Sequence, residues 1–226
     1  MSIEIYPSIL AADMANLEAD CRRALSGGAD GLHVDVMDGH FVPNLSMGPA
    51  VVAALRRALG EDVHLHVHLM ITHPDRYAES FIKAGANTVL IHIESEGDIG
   101  VTLAAIRQQE ARAGITVNPD TPAEAILPLI EAGQVDEILC MTVFPGFGGQ
   151  AFIESVLPKI SELRAAAGDL PISVDGGIDS ASAPRVAAAG ANVMLAGSSL
   201  FSADDMGAAI AEMRASCTQA FGSGVA

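Results

Sequence analysis

The chain has 226 residues, of which 50% are hydrophobic and only 18% charged, and its formal net charge is −16. This length fits one large α/β domain, and the apolar content is sufficient for an extensive core. Because nucleic acids and anionic membrane surfaces are bound by clustered Lys and Arg, the acidic charge argues against both as partners.

Short apolar or β-branched segments alternate with Ala- and Leu-rich segments of helical period along the whole chain. The predicted strands are Ile5–Ile9, Leu32–Val36, Val63–His68, Thr88–His92, Ile115–Asn118, Ile138–Thr142, Ile172–Asp175 and Val193–Ala196. The predicted helices are Met14–Ser26, Pro49–Leu59, Pro74–Lys83, Gly100–Ala113, Pro122–Glu131, Ile153–Ala166, Ser180–Ala189 and Asp205–Ser216. This strict alternation predicts a single (β/α)8 TIM barrel over residues 1–226, with the active site at the C-terminal ends of the strands.

The three cysteines indicate a compartment. Cys21, Cys140 and Cys217 lie far apart and are odd in number, so they form neither a disulfide framework nor a zinc-finger spacing. A reducing, cytoplasmic environment is therefore expected. The uncharged stretch 186–203 is interrupted by Gly, Asn and Ser, which favours a helix end, a strand and a loop over a membrane span.

The second predicted strand carries an imidazole and a carboxylate on one face. Side chains alternate along a strand, so His33, Asp35 and Met37 share a face, with His33 and Asp35 about 7 Å apart at Cα. A buried His–Asp hydrogen bond is the ordinary interpretation of such a pair. The ends of two other strands favour a metal site instead, because His68 ends the third predicted strand and Asp175 ends the seventh.

Two imidazoles and two carboxylates at one end of a barrel predict a divalent metal site. His66 has the same parity as His68 but lies one layer deeper, which predicts a supporting or core role for it. The remaining histidines, His40, His64, His73 and His92, are interpreted as ordinary structural or surface groups.

Three glycine-rich segments follow predicted strands. They are Pro145–Gln150, Asp175–Ile178 and Ala196–Ser199. Loops after strands seven and eight, together with a helix N-terminus, commonly bind phosphate in this fold. None of the three segments contains Lys or Arg, so backbone N–H groups are predicted to hold the phosphate.

Lysine usage narrows the chemistry further. The only lysines, Lys83 and Lys159, lie on predicted helices rather than at strand ends, which argues against a Schiff-base enzyme. The remaining chemistry is metal-assisted proton abstraction next to a carbonyl, with Asp35 and Asp175 as the acid–base pair. A barrel that only binds a phosphorylated ligand, and a phosphosugar isomerase or lyase, remain alternatives.

Seven short segments carry the most specific motifs of the chain. They are Pro7–Leu10, His33–Asn44, Val67–Met70, Asn118–Pro119, Pro145–Gln150, Val174–Ile178 and Ala196–Ser198. In order and nearly end to end, they resemble ribulose-phosphate 3-epimerases. The resemblance implies interconversion of D-ribulose 5-phosphate and D-xylulose 5-phosphate with one divalent metal ion, Zn²⁺ or Fe²⁺ before Mn²⁺ or Co²⁺, in a homo-oligomer.

The resemblance also implies roles for individual residues. His33, Asp35, His68 and Asp175 match the metal ligands, with Asp35 the proton acceptor and Asp175 the proton donor. The residues that match substrate contacts are Ser8, His68, Gly146, Phe147, Gly148, Gly149, Asp175, Gly176, Gly177, Gly197 and Ser198. The methionines that match the lining of the site are Met37, Met70 and Met141.

Two positions depart from the family pattern. His66 stands where Asp is usual, and Phe144 stands where Asn or Glu is usual. Both departures bear on substrate preference, and the related allulose-6-phosphate 3-epimerases make a hexulose phosphate the alternative substrate.

Overall fold

Eight parallel strands form the centre of the computed structural model, which describes the backbone of residues 1–224 and side chains as far as Phe221. The strands are β1 (Glu4–Pro7), β2 (Gly31–Met37), β3 (His64–Met70), β4 (Thr88–His92), β5 (Arg112–Val117), β6 (Glu137–Met141), β7 (Ile172–Asp175) and β8 (Val193–Ala196). They pair in the order β1-β8-β7-β6-β5-β4-β3-β2, and a parallel bridge between Ser8 and His33 brings the two edge strands together. The predicted (β/α)8 barrel is confirmed.

Helices follow the strands around the outside of the barrel. They are α1 (Leu17–Ser26), α2 (Pro49–Leu59), α3 (Ala78–Lys83), α4 (Ile99–Gln108), α5 (Leu127–Glu131), α6 (Leu157–Ala167), α7 (Ala183–Ala188), α8 (Ser198–Phe201) and α9 (Met206–Gly224). Short 3₁₀ turns, Pro74–Arg76, Ala123–Ala125 and Glu154–Val156, precede α3, α5 and α6. Within residues 1–224, no helix is both long and apolar enough to cross a lipid bilayer.

Several predicted boundaries differ from the observed ones by a few residues, and one of them assigns strand residues to a helix. The helix predicted for Gly100–Ala113 ends earlier, because α4 stops at Gln108 and Arg112 already pairs with Thr88 in the sheet. Glu110 lies between them with a φ of 63°, a left-handed conformation that cannot continue a right-handed helix. The Ala-rich composition of this segment hid the change of direction.

Strand alternation divides the core in two. Residues such as Val34, Val67 and Ile91 are fully buried between the sheet and the helices. A second cluster, which includes Tyr6 and Leu139, fills the inside of the barrel. His33 and Asp35 are also buried, on the alternate positions of β2 that face the interior. The barrel interior therefore combines this apolar cluster with buried polar groups, which include Glu137 at the N-terminal end and His33 and Asp35 towards the C-terminal ends of the strands, called here the mouth.

Buried arginines hold the opposite, N-terminal end of the barrel. Arg56 on α2 donates hydrogen bonds to the carbonyls of Gly60, Val63 and Gly85 and to the side-chain oxygen of Asn87. These acceptors belong to the segments that lead into β3 and β4. One guanidinium therefore joins two helix–strand connections, because its fork of donors reaches several acceptors at once.

Replacing Arg56 by Met should lower the free energy of unfolding by about 3 kcal/mol or more, because several buried acceptors lose a charged donor. Urea unfolding followed by circular dichroism measures this effect. Arg57→Met on the same helix is the matched control, since Arg57 is exposed, and we expect a change within about 0.5 kcal/mol. Equal effects of the two substitutions would contradict the role assigned to Arg56.

Candidate metal centre and active site

Four side chains predicted as ligands meet at the mouth of the barrel. Pairing of β2 with β3 sets Asp35 opposite His68, and β7 adds Asp175. One ligand atom from each of His33, Asp35, His68 and Asp175 lies within 4.8 Å of all the others. His33 Nε2 is 3.1 Å from Asp35 Oδ1, and His68 Nδ1 is 3.5 Å from the same oxygen and 4.0 Å from Asp175 Oδ2. We call these four residues the metal cluster.

The state of His68 fits a bound cation. Its Nδ1 is buried and accepts or donates no hydrogen bond among the described atoms, although it faces two carboxylates. Burial lowers the pKa of His68 to about 3, so the imidazole is neutral and its lone pair is available. Two nitrogen and two carboxylate oxygen donors suit a divalent ion such as Zn²⁺ or Fe²⁺.

The ring of His33 is backed by a buried chain of polar groups. Its Nδ1 lies 2.8 Å from Nδ1 of His66, and Nε2 of His66 lies 2.8 Å from Oε1 of Glu137. Arg112 approaches the other oxygen of Glu137 at 3.6 Å. His66 and Arg112 hold the pKa of Glu137 down to about 2, against the opposing effect of burial. Glu137 is therefore ionised.

The ring of His68 is backed in the same way. Its Nε2 lies 2.8 Å from Nε2 of His92, and Nδ1 of His92 lies 3.0 Å from Glu94 Oε2. The other oxygen of Glu94 accepts hydrogen bonds from the backbone N–H of Asn118 and the hydroxyl of Thr121. Each imidazole of the metal cluster is thus oriented by a second imidazole and then by a carboxylate, an arrangement that fixes ligand tautomers.

The two carboxylates of the cluster differ in proton affinity. Burial would raise the pKa of Asp35, but His33 and His68 outweigh it and hold this pKa far below its usual range. The hydroxyl of Ser8 also donates to Asp35 Oδ2 at 2.5 Å. Burial, and then the charge of Asp35, raise the pKa of Asp175 to about 7. Without a metal ion, the carboxylate of Asp35 is therefore charged, while that of Asp175 keeps its proton up to about neutral pH.

A cavity of about 660 Å³ opens above the metal cluster. Its described lining comes largely from the three glycine-rich segments and contains no Lys or Arg. Gly176 and Gly177 have positive φ, and a Cβ on Gly176 would come within 2.2 Å of Val143. Glycine is thus required at position 176, where the backbone of this loop packs against Val143. An anionic ligand would be held by backbone N–H groups.

Most predicted contact residues line this cavity. Those that do are Ser8, Gly146, Phe147, Gly148, Gly149, Asp175, Gly176, Gly177, Gly197, Ser198, Met70 and Met141. His68 faces the metal cluster beneath the cavity instead. Met37 packs against Val42 and Met70 beside it. The two residues that depart from the family pattern, His66 and Phe144, are absent from the described lining: His66 is fully buried beneath His33, and the Phe144 ring is half exposed.

Sequence reasoning missed the groups that support the ligands. The sequence analysis gives His92 an ordinary structural role and assigns no role to Glu94, which lies in the turn just after β4 and therefore follows no strand pattern. Glu137 fell just outside the predicted strand. An acidic residue next to an apolar strand was the available signal, because such a residue enters a barrel interior only with a partner.

Fold and site together define a (β/α)8 barrel with a His–Asp cluster able to hold a metal ion at its mouth. The model of the ribulose-phosphate 3 epimerase family matches residues 4–201. The chain belongs to this family.

Relatives and solved structures agree. The ribulose-phosphate 3-epimerase of Bacillus subtilis (strain 168) is 46% identical over 95% of this chain and 99% of the relative. A chloroplastic ribulose-5-phosphate-3-epimerase of Arabidopsis thaliana is 46% identical over 95% of this chain and 77% of the relative. The structure of KGPDC from Streptococcus mutans has a TM-score of 0.72 at 13% identity, covering 98% of this chain and 100% of that one, a likeness of fold alone.

Metal affinity should fall as the pH drops below about 7, because protonation of Asp175 weakens this carboxylate as a ligand for an incoming cation. The loss should approach about tenfold per pH unit for each proton displaced. Competition with a chromophoric chelator between about pH 5 and 8 measures this, and proton release confirms it. Asp175→Asn should give a shallower pH dependence, whereas an affinity that is independent of pH would contradict the assignment.

Proposed function

We propose that this enzyme is a metal-dependent 3-epimerase that interconverts D-ribulose 5-phosphate and D-xylulose 5-phosphate. The observation that carries the proposal is the pair Asp35 and Asp175, which share one buried cluster yet differ in proton affinity. Epimerisation needs a base on one face of a carbon and an acid on the other. Carboxylates with separated pKa values supply both roles.

The metal cluster, His33, Asp35, His68 and Asp175, would hold one divalent ion, with Zn²⁺ or Fe²⁺ preferred and Mn²⁺ or Co²⁺ as alternatives. When bound, this ion supplies Lewis-acid stabilisation for the negative charge that develops on the substrate oxygens. The two imidazole chains keep His33 and His68 oriented for that task.

Proton transfer is assigned to the two carboxylates. Asp35 removes the proton from C3 of ribulose 5-phosphate, and Asp175 gives a proton to the opposite face of the resulting enediolate. The reverse reaction exchanges these roles. General acid–base catalysis contributes about 10²–10⁴-fold, or roughly 3–5 kcal/mol. Ser8 assists by fixing the position of the Asp35 carboxylate through its short hydrogen bond.

The phosphate is proposed to lie among the glycine-rich segments, on backbone N–H groups of the loops that contain Gly146–Gly149, Gly176–Gly177 and Gly197–Ser198. Met70 and Met141 give the cavity an apolar wall. Holding the phosphate at one end places the C2 and C3 atoms over the carboxylates. Such positioning supplies a further share of the rate enhancement.

A pentulose phosphate is favoured over a hexulose phosphate. His66 and Phe144 differ from the family pattern and are the reason for considering a hexulose phosphate as substrate. Neither is among the described residues that line the cavity. A barrel that only binds phosphosugars would have no use for the acid–base pair. A phosphosugar isomerase or lyase is distinguished by its products.

We also propose a cytoplasmic homo-oligomer. All three cysteines are free and buried, which suits a reducing compartment, and one relative is named as the cytoplasmic isoform of rice. Exposed Leu45, Tyr77 and Val101 offer apolar surface for contacts between subunits. Light scattering on the purified protein measures the oligomeric state.

The function is tested by NMR of the metal-loaded enzyme with D-ribulose 5-phosphate in D₂O. We expect xylulose 5-phosphate to appear with deuterium at C3, because the proton that Asp175 gives to the opposite face comes from the solvent. Thorough removal of the metal should abolish the reaction. Absence of C3 exchange in the loaded enzyme would overturn the proposed function, and hexulose phosphates would then be tested.

Asp175→Asn should lower xylulose formation by about 10²–10⁴-fold. Asp35 remains in place, so deuterium should still enter C3 of ribulose 5-phosphate without epimerisation. Asp35→Asn should lose both reactions. Metal content is measured for each variant, and Asp62→Asn serves as control because Asp62 is exposed. Undiminished xylulose formation in metal-loaded Asp175→Asn would remove Asp175 from the mechanism.

A further inference from the structure

Glu137 is a buried carboxylate that the proposed reaction does not use. It opens β6 at the N-terminal end of the barrel, below the metal cluster, and only 1% of its surface is exposed. It is not among the described residues that line the cavity. Burying a charge at this depth is costly without partners. The partners of Glu137 are Arg112, which is partly exposed, and His66, which touches His33.

The hydrogen-bonded chain above Glu137 has one consistent direction. To bind a cation, His33 must present a lone pair at Nε2, so its proton lies on Nδ1 and is donated to His66 Nδ1. His66 must then carry its own proton on Nε2, which is donated to Glu137 Oε1. An ionised carboxylate can only accept hydrogen bonds. Glu137 therefore permits donation from His33 to His66 and on to Glu137, and it forbids donation in the reverse order.

We infer that Glu137 is a positioning residue for the metal ligand His33, acting through His66. The inference rests on the metal site proposed above. Glu137 never touches the ion. It sets the tautomer of both imidazoles, and with it the availability of Nε2 on His33.

The geometry also explains why a histidine can stand at position 66. Aspartate at this position would put a carboxylate oxygen close to where Nδ1 of His66 now lies. That oxygen would accept the hydrogen bond of His33 directly. The imidazole of His66 extends the chain by one ring, and Glu137 supplies the carboxylate one step further down. Position 66 and position 137 therefore act as a unit.

A structural role makes different predictions. Glu137 also pairs with Arg112, so its removal lowers stability in either case. Stability alone therefore decides nothing. Only the proposed role makes metal affinity depend on Glu137 and makes that affinity recoverable by a carboxylate at position 66, even though His66→Asp shortens a buried side chain and lowers stability further.

The experiment measures Zn²⁺ affinity by chelator competition, in the absence of substrate, and the visible absorption of the Co²⁺-loaded protein. The variants are Glu137→Val, Glu137→Gln and the double variant His66→Asp/Glu137→Val. Thr88→Val is the matched control, because it removes a partly buried hydrogen bond to His64 in the same lower layer of the barrel. Thermal unfolding of the metal-free forms is recorded in parallel.

We expect Glu137→Val to bind Zn²⁺ about 10–100-fold more weakly and to show an altered Co²⁺ spectrum. Glu137→Gln should lose less, since its amide oxygen still accepts a proton. The double variant should regain most of the affinity while remaining less stable than the wild type. Thr88→Val should bind as the wild type does.

Wild-type Zn²⁺ affinity in Glu137→Val, or no recovery in the double variant, would overturn the inference and leave the proposed function intact. Failure of the wild type to bind any divalent metal would overturn both. If Glu137→Val does not fold, Glu137→Met and His66→Asp/Glu137→Met are compared in its place, with the same two outcomes deciding.

Discussion

The structure depends on the burial of two carboxylates beside two imidazoles at one end of a parallel barrel. Asp35 and Asp175 approach the same nitrogen of His68, and their repulsion in a site of low polarity is relieved by a proton or by a cation. A proton relieves this repulsion less completely than a divalent cation does, since one proton neutralises only one of the two carboxylates. The same arrangement that demands a cation also gives the two acids their unequal proton affinities.

Three strands of the barrel supply the four residues of the metal cluster. β2 contributes His33 and Asp35, β3 contributes His68 and β7 contributes Asp175, so chain segments far apart in sequence meet at one point. In the proposed function, rigid strands hold the reacting groups, while glycine loops provide donors for the phosphate without adding positive charge. Backbone dipoles would then take the place of lysine and arginine in an acidic protein.

The metal cluster and the cavity were predictable from sequence because they obey local rules. Alternation along β2 put His33 and Asp35 on one face, and the barrel placed the strand ends together. The chains behind the ligands were not predictable. His66 meets Glu137 across the barrel interior, 71 residues away in sequence, and such a contact depends on strand register and tilt. The end of α4 was missed because the left-handed Glu110 leaves no mark in composition.

Arg56 and its acceptors have a counterpart on the far side of the barrel. Arg164 on α6 donates to the carbonyls of Gly168, Leu170 and Gly190 and to Asn192, the same pattern carried from β3–β4 to β7–β8. The N-terminal end of the barrel is therefore fastened at two places four strands apart, each by one buried guanidinium that ties the end of a helix to the entry of two strands.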